Sequence, residues 1–368
     1  MNKILILLIL IISSCSSTED KVFSDQVSPD LAETFNIENK KFAKFIVEEK
    51  EEEPNPSVKE ETVKVKKEEK ISRQDIKVKK IINISTKKEV IETKIDPSRT
   101  AIEKEGLPED YPKELLDLDI DSKKTWKNYS PFYKVGEEFL FAINYLGITA
   151  GHVRFVTTGN LKIAKRDAIH FRALFKTSKF YKYVYEADDM VETYVSSKDF
   201  LPIKYSLVQR ESNKDVDDLQ LFDQEEKKTY LFYKRLKKKN NEVRNIEKEA
   251  YIPKYYQDFM STLFFVRGLP LKKGDVYKFP VFTRGKFWRL TVTVASVNDE
   301  VKALGVWKKA IRLDTVAMPP KSDTKKQKST ISFWYSNDAD RIFLKLKAKL
   351  KFGSVEGEIE EHIPGRMP

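Results

Sequence analysis

Eleven residues near the C-terminus, IFLKLKAKLKF, alternate strictly from Leu344 onward. Ile342, Leu344, Leu346, Ala348, Leu350 and Phe352 fall on one side of an extended chain, and Lys345, Lys347, Lys349 and Lys351 on the other. Side chains along a strand point to opposite faces with a period of two. A segment with one apolar and one charged face is therefore a half-buried strand of an antiparallel sheet. FWRLTVTVASV repeats the pattern, with Trp288, Leu290, Val292 and Val294 against Arg289, Thr291 and Thr293.

Ten further segments read as strands: EEFLFAINY, GHVRFVTT, AIHFRALFK, MVETYVSS, IKYSLVQRE, KTYLFYKR, VYKFPVFT, KKAIRLDTV, ISFWYS and SVEGEIE. Turn signals such as LGITAG, TGN, SSKDFLP, KKGD, TRGK and SNDAD separate many of them. About eleven or twelve short strands in about 240 residues predict a mainly β fold, one antiparallel barrel-like or wrapped sheet. One segment departs from period two. In KYYQDFMSTLFFVR, Tyr256, Met260, Leu263 and Phe264 recur at helical spacing, and Gly268 and Pro270 supply the stop. This predicts one helix of about ten residues packed on the sheet or plugging a barrel end.

Upstream the composition changes. Residues 15–104 are dominated by Lys and Glu, and Pro54 and Pro56 interrupt any helix. Such a stretch buries too little apolar surface to offset its ordering entropy, so it is expected to be a disordered tether. Residues 105–130 are transitional, with PEDYPKELLDLDI able to form a short amphipathic helix that docks Leu115, Leu116 and Leu118. The β-rich domain is expected over 131–368.

At the start, Lys3 precedes nine apolar residues, Ile4 to Ile12. A bilayer span needs about 20 apolar residues, so this run has the length of a signal peptide. Ile12-Ser13-Ser14-Cys15 then resembles the bacterial lipobox. That resemblance implies a lipoprotein signal peptide over 1–14, lipidation of Cys15 with diacylglycerol, and cleavage just before it. Ser16 in place of Asp suggests outer-membrane sorting. The expected location is the bacterial cell envelope, lipid-anchored and facing the periplasm. Cys15 is the only cysteine, which excludes an intramolecular disulfide, zinc–thiolate sites, thiol catalysis and iron–sulfur clusters.

Four pieces of the β-rich region together resemble a known family. They are KVGEEFLFAINYLGITAGHVRF from Lys134, VETYVSSKDFLPIKY from Val191, QDFMSTLFFVRGLPLKKGDVYKFPVFTRGKFWRLTVTV from Gln257, and FWYSNDADRIFLKLKAKLKFGSVEGEI from Phe333. In this order they are similar to the DUF3108 proteins, exported bacterial proteins, over roughly residues 131–365. The family's usual proline after the D-x-x-R-I run is Phe343 here. Lysine-rich stretches such as KRLKKKNNEVR read as expanded loops. The resemblance implies one β-rich domain and no particular reaction.

The chain offers little chemistry. His152, His170 and His362 have no metal-ligand spacing, and there is no nucleophile elbow, P-loop or dinucleotide fingerprint. Ser261 follows Asp258 by three residues, which suits a local hydrogen bond. Glu186, Asp188, Asp189 and Glu192 cluster in EADDMVET, which reads as a solvated loop, with too few oxygens in view for calcium. Among the cations, Arg267, Arg284 and Arg289 stand out, and a structural role at a helix C-terminus suffices for Arg267. No catalytic residue, metal site or cofactor is expected.

Residues 131–368 hold 44 Lys and Arg against 30 Asp and Glu, a net charge of +14, whereas residues 1–130 carry −3. A basic exported domain attracts anionic lipid, lipopolysaccharide phosphates or cell-wall polymers, and the compartment excludes nucleic acid. The first expectation is a non-enzymatic module that binds an envelope component, with Phe264, Trp288 and Trp334 lining an apolar cavity. The alternative is a scaffolding lipoprotein that meets envelope proteins through its basic face, and an envelope hydrolase ranks last. The anchor is directly testable. Mass spectrometry of the mature chain is expected to begin at an acylated Cys15, and Cys15→Ser is expected to move the protein from the membrane to the soluble fraction.

Overall fold

The computed structural model describes residues 31–37, 40–48, 106–319, 329–350 and 352–368. The expected signal peptide, Cys15 and most of the expected tether lie outside the described residues. All described residues belong to one compact unit, Met1–Glu49 together with Gly106–Pro368.

The N-terminal piece contributes α1 (Leu31–Thr34), a 3-10 turn (Lys40–Phe45) and β1 (Val47–Glu48). Then α2 (Lys113–Trp126) leads into a meander of eight strands. They are β2 (Glu138–Tyr145), β3 (Ile148–Ile163), β4 (Arg166–Thr177), β5 (Ala187–Ser196), β6 (Pro202–Glu211), β7 (Lys214–Asp223), β8 (Lys228–Lys237) and β9 (Glu242–Tyr251). The chain crosses over through β10 (Gln257–Asp258) and α3 (Phe259–Phe265). A second meander follows: β11 (Val276–Thr283), β12 (Lys286–Ala303), β13 (Val306–Met318), β14 (Ser329–Ser336), β15 (Phe343–Lys349) and β16 (Ser354–Ile363).

β16 pairs antiparallel with β2, with Phe141 opposite Ile359, so the two meanders form one sheet. Its order is β10-β11-β12-β13-β14-β15-β16-β2-β3-β4-β5-β6-β7-β8-β9, and β1 adds to β3. The sheet wraps but does not close, because β9 and β10 remain edges. Irregular pairing at Thr157/Gly159, Ile359/Glu361 and twice between Val294 and Asp299 bends the long strands and increases their twist. Alternate residues of both meanders meet in one core around α3. Phe171, Leu207, Val292, Leu313, Tyr335 and Phe343 belong to the same buried core as Met260, Phe264 and Phe265.

The expected helix is present as α3 plus a 3-10 turn at Val266–Gly268. Asp258 caps it: its carboxylate accepts the Ser261 N–H at 2.7 Å, and the Ser261 hydroxyl accepts the Asp258 N–H at 3.0 Å. The residues just before α3 tie it to the facing wall of the sheet. The Tyr256 hydroxyl donates to the Pro202 carbonyl at 2.9 Å, and the Gln257 amide donates to the Phe200 carbonyl at 2.9 Å.

α2 covers the seam that the strands leave open. It packs along β11, where the Thr125 hydroxyl donates to the Lys278 carbonyl at 3.0 Å. On the other edge, Tyr111, Leu115 and Leu118 pack with Tyr251 at the end of β9 and with Phe287. Asp119 accepts the Lys254 N–H at 2.6 Å. Residues 106–130 are thus part of the domain, and the transitional segment is its seam cover, as expected of a protected sheet edge.

The tether reading needs correcting at 31–48. Leu31 and Phe45 are buried on the outer face of the sheet against Ile163, Tyr194, Leu221 and Phe232. The Phe42 ring meets Tyr230 and Phe232 edge-on, at 5.3 and 5.5 Å between centroids. Lys44 pairs with Asp223, and Arg166 donates to the Lys44 carbonyl at 2.6 Å. The cause is β5 to β8, whose outer face is also apolar. Burying each large side chain contributes about 1.5–3 kcal/mol, enough to hold a short segment in place.

Three further differences concern strands. KDVDDLQLFD and EVRNIEKEAY, not expected as strands, form β7 and β9. KRLKKKNNEVR is not an expanded loop: it is the end of β8, a turn at 238–241 and the start of β9. β15 ends at Lys349, and Phe352 leaves the buried row for an exposed turn with Gly353 in the left-handed region (φ 73°).

Arg267 is fully buried at the end of the helical crossover. It donates to Glu137 through two bonds of 2.6 and 3.0 Å, and to the Asp340 carbonyl at 2.9 Å. The structural reading of Arg267 holds, but its partner is a carboxylate from the start of β2, not the carbonyls of its own helix. Those carbonyls are served by Arg341, which donates to the Arg267 and Leu269 oxygens. Burial raises the Glu137 pKa, but hydrogen bonds from His362 and Arg267 outweigh it and hold the carboxyl below its ordinary range. Removing one partner of a buried pair leaves an uncompensated charge. Glu137→Ala is expected to lower stability by about 3–5 kcal/mol in urea unfolding, and the Glu137→Leu/Arg267→Met pair is expected to lose less than the single change.

Candidate functional site

Of the three residues expected to line an apolar cavity, Phe264 belongs to the main core and Trp334 packs against that core, while Trp288 lies elsewhere on the sheet. Phe264 is buried and stacks on Phe171 with centroids 4.0 Å apart. Trp288 sits opposite Val281 at the β11–β12 end of the sheet. Trp334 stands in register with Arg312 and Lys345, and its indole N–H donates to Asp299 at 3.0 Å. The apolar half of the interior is filled by α3 and the rings around it.

The other half of the inner face is polar. Pairing between β5, β6 and β7 places Asp189 beside Gln209, Leu207 beside Asp218, and Tyr205 beside Gln220. Thr193, Tyr205, Leu207 and Val191 on the same face connect this row to the main core. Gln209, Asp218 and Gln220 are fully buried. The Gln209 amide donates to Asp189 at 3.0 Å and to Glu211 at 2.8 Å. Glu211 also accepts from the Tyr185 hydroxyl and pairs with Lys214 at 2.8 Å. Gln220 donates to Asp218 Oδ1 at 3.4 Å, while Asp218 Oδ2 and Gln220 Oε1 are buried with no hydrogen-bond partner in the protein.

Arg284 faces this row from the β11–β12 turn. Arg284 and Gly285 both have positive φ, 50° and 65°, as in the two-residue turns that suit twisted hairpins. Gly285 lies so close to Leu231 that a Cβ there would sit 2.7 Å from its Cδ2. The turn is thereby pressed onto β8, and the Arg284 guanidinium donates to Gln209 Oε1 at 3.4 Å.

Desolvation dominates the acidity of this region. Burial pushes Asp218 up to about 6, against the nearby Arg284 charge and the Gln220 bond. Burial also lifts Asp189 to about 7, opposed by the Gln209 bond and reinforced by the charge of Glu211. Asp258, which accepts from Thr193 as well as capping α3, is pushed up to about 6 by burial. The site therefore combines polar acceptors, a guanidinium and tyrosines in a water-poor setting.

EADDMVET is no solvated loop. Asp189 faces inward, whereas Glu192 is buried on the opposite face with His170 at 3.1 Å and Arg172 at 2.9 Å. His170 stacks on Tyr194 at 4.3 Å, His152 is 3.5 Å from Glu360, and His362 is 3.3 Å from Glu137, so each histidine has a carboxylate partner. Arg289 is exposed on β12. Among the described residues no group of three His, Cys, Asp or Glu could hold a metal ion, and no helix is long and apolar enough to cross a membrane. Sequence reasoning singled out Arg284 and Asp189 but not Gln209, Asp218 or Gln220. The signal for Asp218 and Gln220 was the alternation of polar residues along KDVDDLQLFD.

The fold and site define a wrapped-sheet β-domain with a half-polar interior. The family model described as "Protein of unknown function (DUF3108)" matches residues 140–360, and the chain belongs to that family. No curated protein matches it. Among solved structures it is similar to a β-barrel-like protein of the DUF1849 domain from Brucella abortus (12% identity, 63% of this chain and 98% of that one, TM-score 0.42). It is also similar to a candidate lipoprotein from Parabacteroides distasonis (7%, 64% and 97%, TM-score 0.28) and to the hypothetical protein CT021 from Chlamydia trachomatis (10%, 64% and 90%, TM-score 0.26).

The raised Asp218 pKa has a definite sign. The native state binds a proton that the unfolded chain has already released, so stability from this group is greatest at low pH and falls as pH rises from the ordinary carboxylate range through about 6. Asp218→Asn removes that titration. The melting temperature of the wild type is expected to fall more than that of the variant between about pH 4.5 and about pH 7.5, a difference of a few degrees in parallel thermal scans.

Proposed function

We propose that this protein is a lipid-anchored component of the bacterial envelope whose β-domain binds an anionic glycan without catalysis. The lipobox-like sequence ending in Cys15 supports the anchor. The single observation that supports the binding role is the inner polar row. Asp218 Oδ2 and Gln220 Oε1 are buried acceptors without a protein partner, side by side and overlooked by Arg284. Buried acceptors of this kind are costly unless something donates to them. Sugar hydroxyls supply donors, an acidic substituent suits the guanidinium, and Tyr205 and Tyr233 lie on the same face. A lipid-carrier role has less support, because α3 and its ring contacts fill the apolar half.

Ser261 spends its hydroxyl in the helix cap, and each histidine is held by a carboxylate. These engagements favour binding over hydrolysis. Native mass spectrometry on chain from Ser16 onward, exported to the periplasm and purified gently, tests the reading. A stoichiometric adduct of carbohydrate mass is expected, reduced strongly in Asp218→Asn/Arg284→Ala. An empty protein that also takes up no added lipopolysaccharide core or cell-wall polymer would leave the scaffolding role in its place.

A further inference from the structure

The β2–β3, β4–β5 and β15–β16 turns lie at one end of the sheet and are consecutive there, because β15, β16, β2, β3, β4 and β5 are neighbours in order. Each turn carries large apolar side chains in water: Leu146, then Phe180, Tyr183 and Val184, then Phe352. Their exposure runs from 51% at Phe180 to 92% at Tyr183. The turns are fastened together. Leu146 Cδ2 lies 2.9 Å from where a Cβ on Gly353 would stand, and the Tyr145 hydroxyl donates to the Phe352 carbonyl at 3.2 Å. Ser178 donates to the carbonyls of Ala150 and Thr149 at 3.0 and 3.2 Å.

Two features resist a purely structural account. Leu146 and Gly147 form a tight turn with φ of 50° and 82°. Asn, Asp or Gly would adopt that first position at less cost, and a leucine there is both strained and solvated. Lysines also border the apolar tips: Lys179 and Lys349 are exposed, and Lys182 pairs with Glu186 at 3.0 Å while staying largely in solvent. Aromatic and aliphatic tips bordered by lysines match the interfacial zone of a bilayer, where rings sit among headgroups and ammonium groups reach the phosphates.

We infer that this rim docks onto an anionic bilayer surface. The inference concerns residues outside the inner polar row and does not depend on a glycan. It does gain from the proposed anchor. Because α1 is seated on the sheet from Leu31, only sixteen residue steps separate Cys15 from the domain. Fully extended, they reach at most about 55–60 Å. A lipid-anchored chain thus keeps its rim within reach of a membrane surface.

The test uses chain from Ser16 onward, so the acyl anchor plays no part and its absence cannot be confused with failure of the rim. Vesicles of phosphatidylethanolamine with phosphatidylglycerol are sedimented with the protein, beside vesicles of phosphatidylcholine alone. Binding to the anionic vesicles that weakens with salt is expected. Phe180→Ser/Tyr183→Ser/Val184→Ser is expected to weaken it by about tenfold or more while leaving the melting temperature unchanged. Trp307→Ser, at an exposed residue near the start of β13 at the other end of the sheet, is expected to bind like the wild type. The inference is overturned by a wild type that stays in solution, by equal binding to phosphatidylcholine, or by a triple variant that binds normally. It is equally overturned if the wild type is a dimer that the triple variant dissolves without any vesicle binding, since a second copy would then be the occupant.

Discussion

The Arg267–Glu137 pair holds the wrap together. A sheet of two meanders has no intrinsic reason to curl around one particular helix. Here the helical crossover ends in a guanidinium whose carboxylate partner precedes β2, whose carbonyl partner precedes β15, and whose neighbour His362 ends β16. The rings of Phe132 and Phe139 flank the same guanidinium, at 4.9 and 5.4 Å from its carbon. Buried ion pairs are not reliable sources of net stability, yet an unpaired buried charge is so costly that alternative registers are penalised. In this fold the pair ties the end of the helical crossover to the residues that precede β2 and β15.

With α3 fixed, the interior divides in two. Phe264 stacks on Phe171 of β4 and Phe265 meets Phe279 of β11, within the apolar core that both meanders share. Farther along β5, β6 and β7 the inner residues become Asp189, Gln209, Glu211, Asp218 and Gln220. What covers them is the Arg284 turn, held down on Leu231 by a glycine that leaves no room for a side chain. A polar row under an arginine follows from the same geometry that lets the helix fill only half of the wrap. The unsatisfied acceptors are then the place where packing has been subordinated to something else.

Strands with one charged and one apolar face were legible in the sequence. β12 and β15 follow period two almost residue by residue, because water touches one side only. β7 was illegible because its inner face is polar, so KDVDDLQLFD looks like a solvated loop to any rule that equates inside with apolar. β9 was missed for another reason: it is an edge strand, almost wholly exposed, and its Glu, Arg and Lys residues resemble a loop while discouraging further strand pairing. The helix in KYYQDFMSTLFFVR was legible because its core residues keep helical spacing and Gly268 and Pro270 end it. The candidate site was half legible: Arg284 and Asp189 stood out, but only strand register reveals that they share a face with Gln209 and Asp218.

The N-terminal segment carries the most instructive discrepancy. Phe35, Phe42 and Phe45 lie in a Lys- and Glu-rich stretch whose average composition argues against order. Composition is an average, and three rings with Leu31 and Val47 suffice when a complementary surface exists. KTYLFYKR supplies it, since consecutive apolar residues in a strand leave both faces in need of cover. Tyr230 and Phe232 on its outer side would otherwise be solvated. Once 31–48 is seated there, only sixteen residue steps separate Cys15 from the domain. The proposed lipid anchor at Cys15 would then hold the sheet within about 60 Å of its membrane.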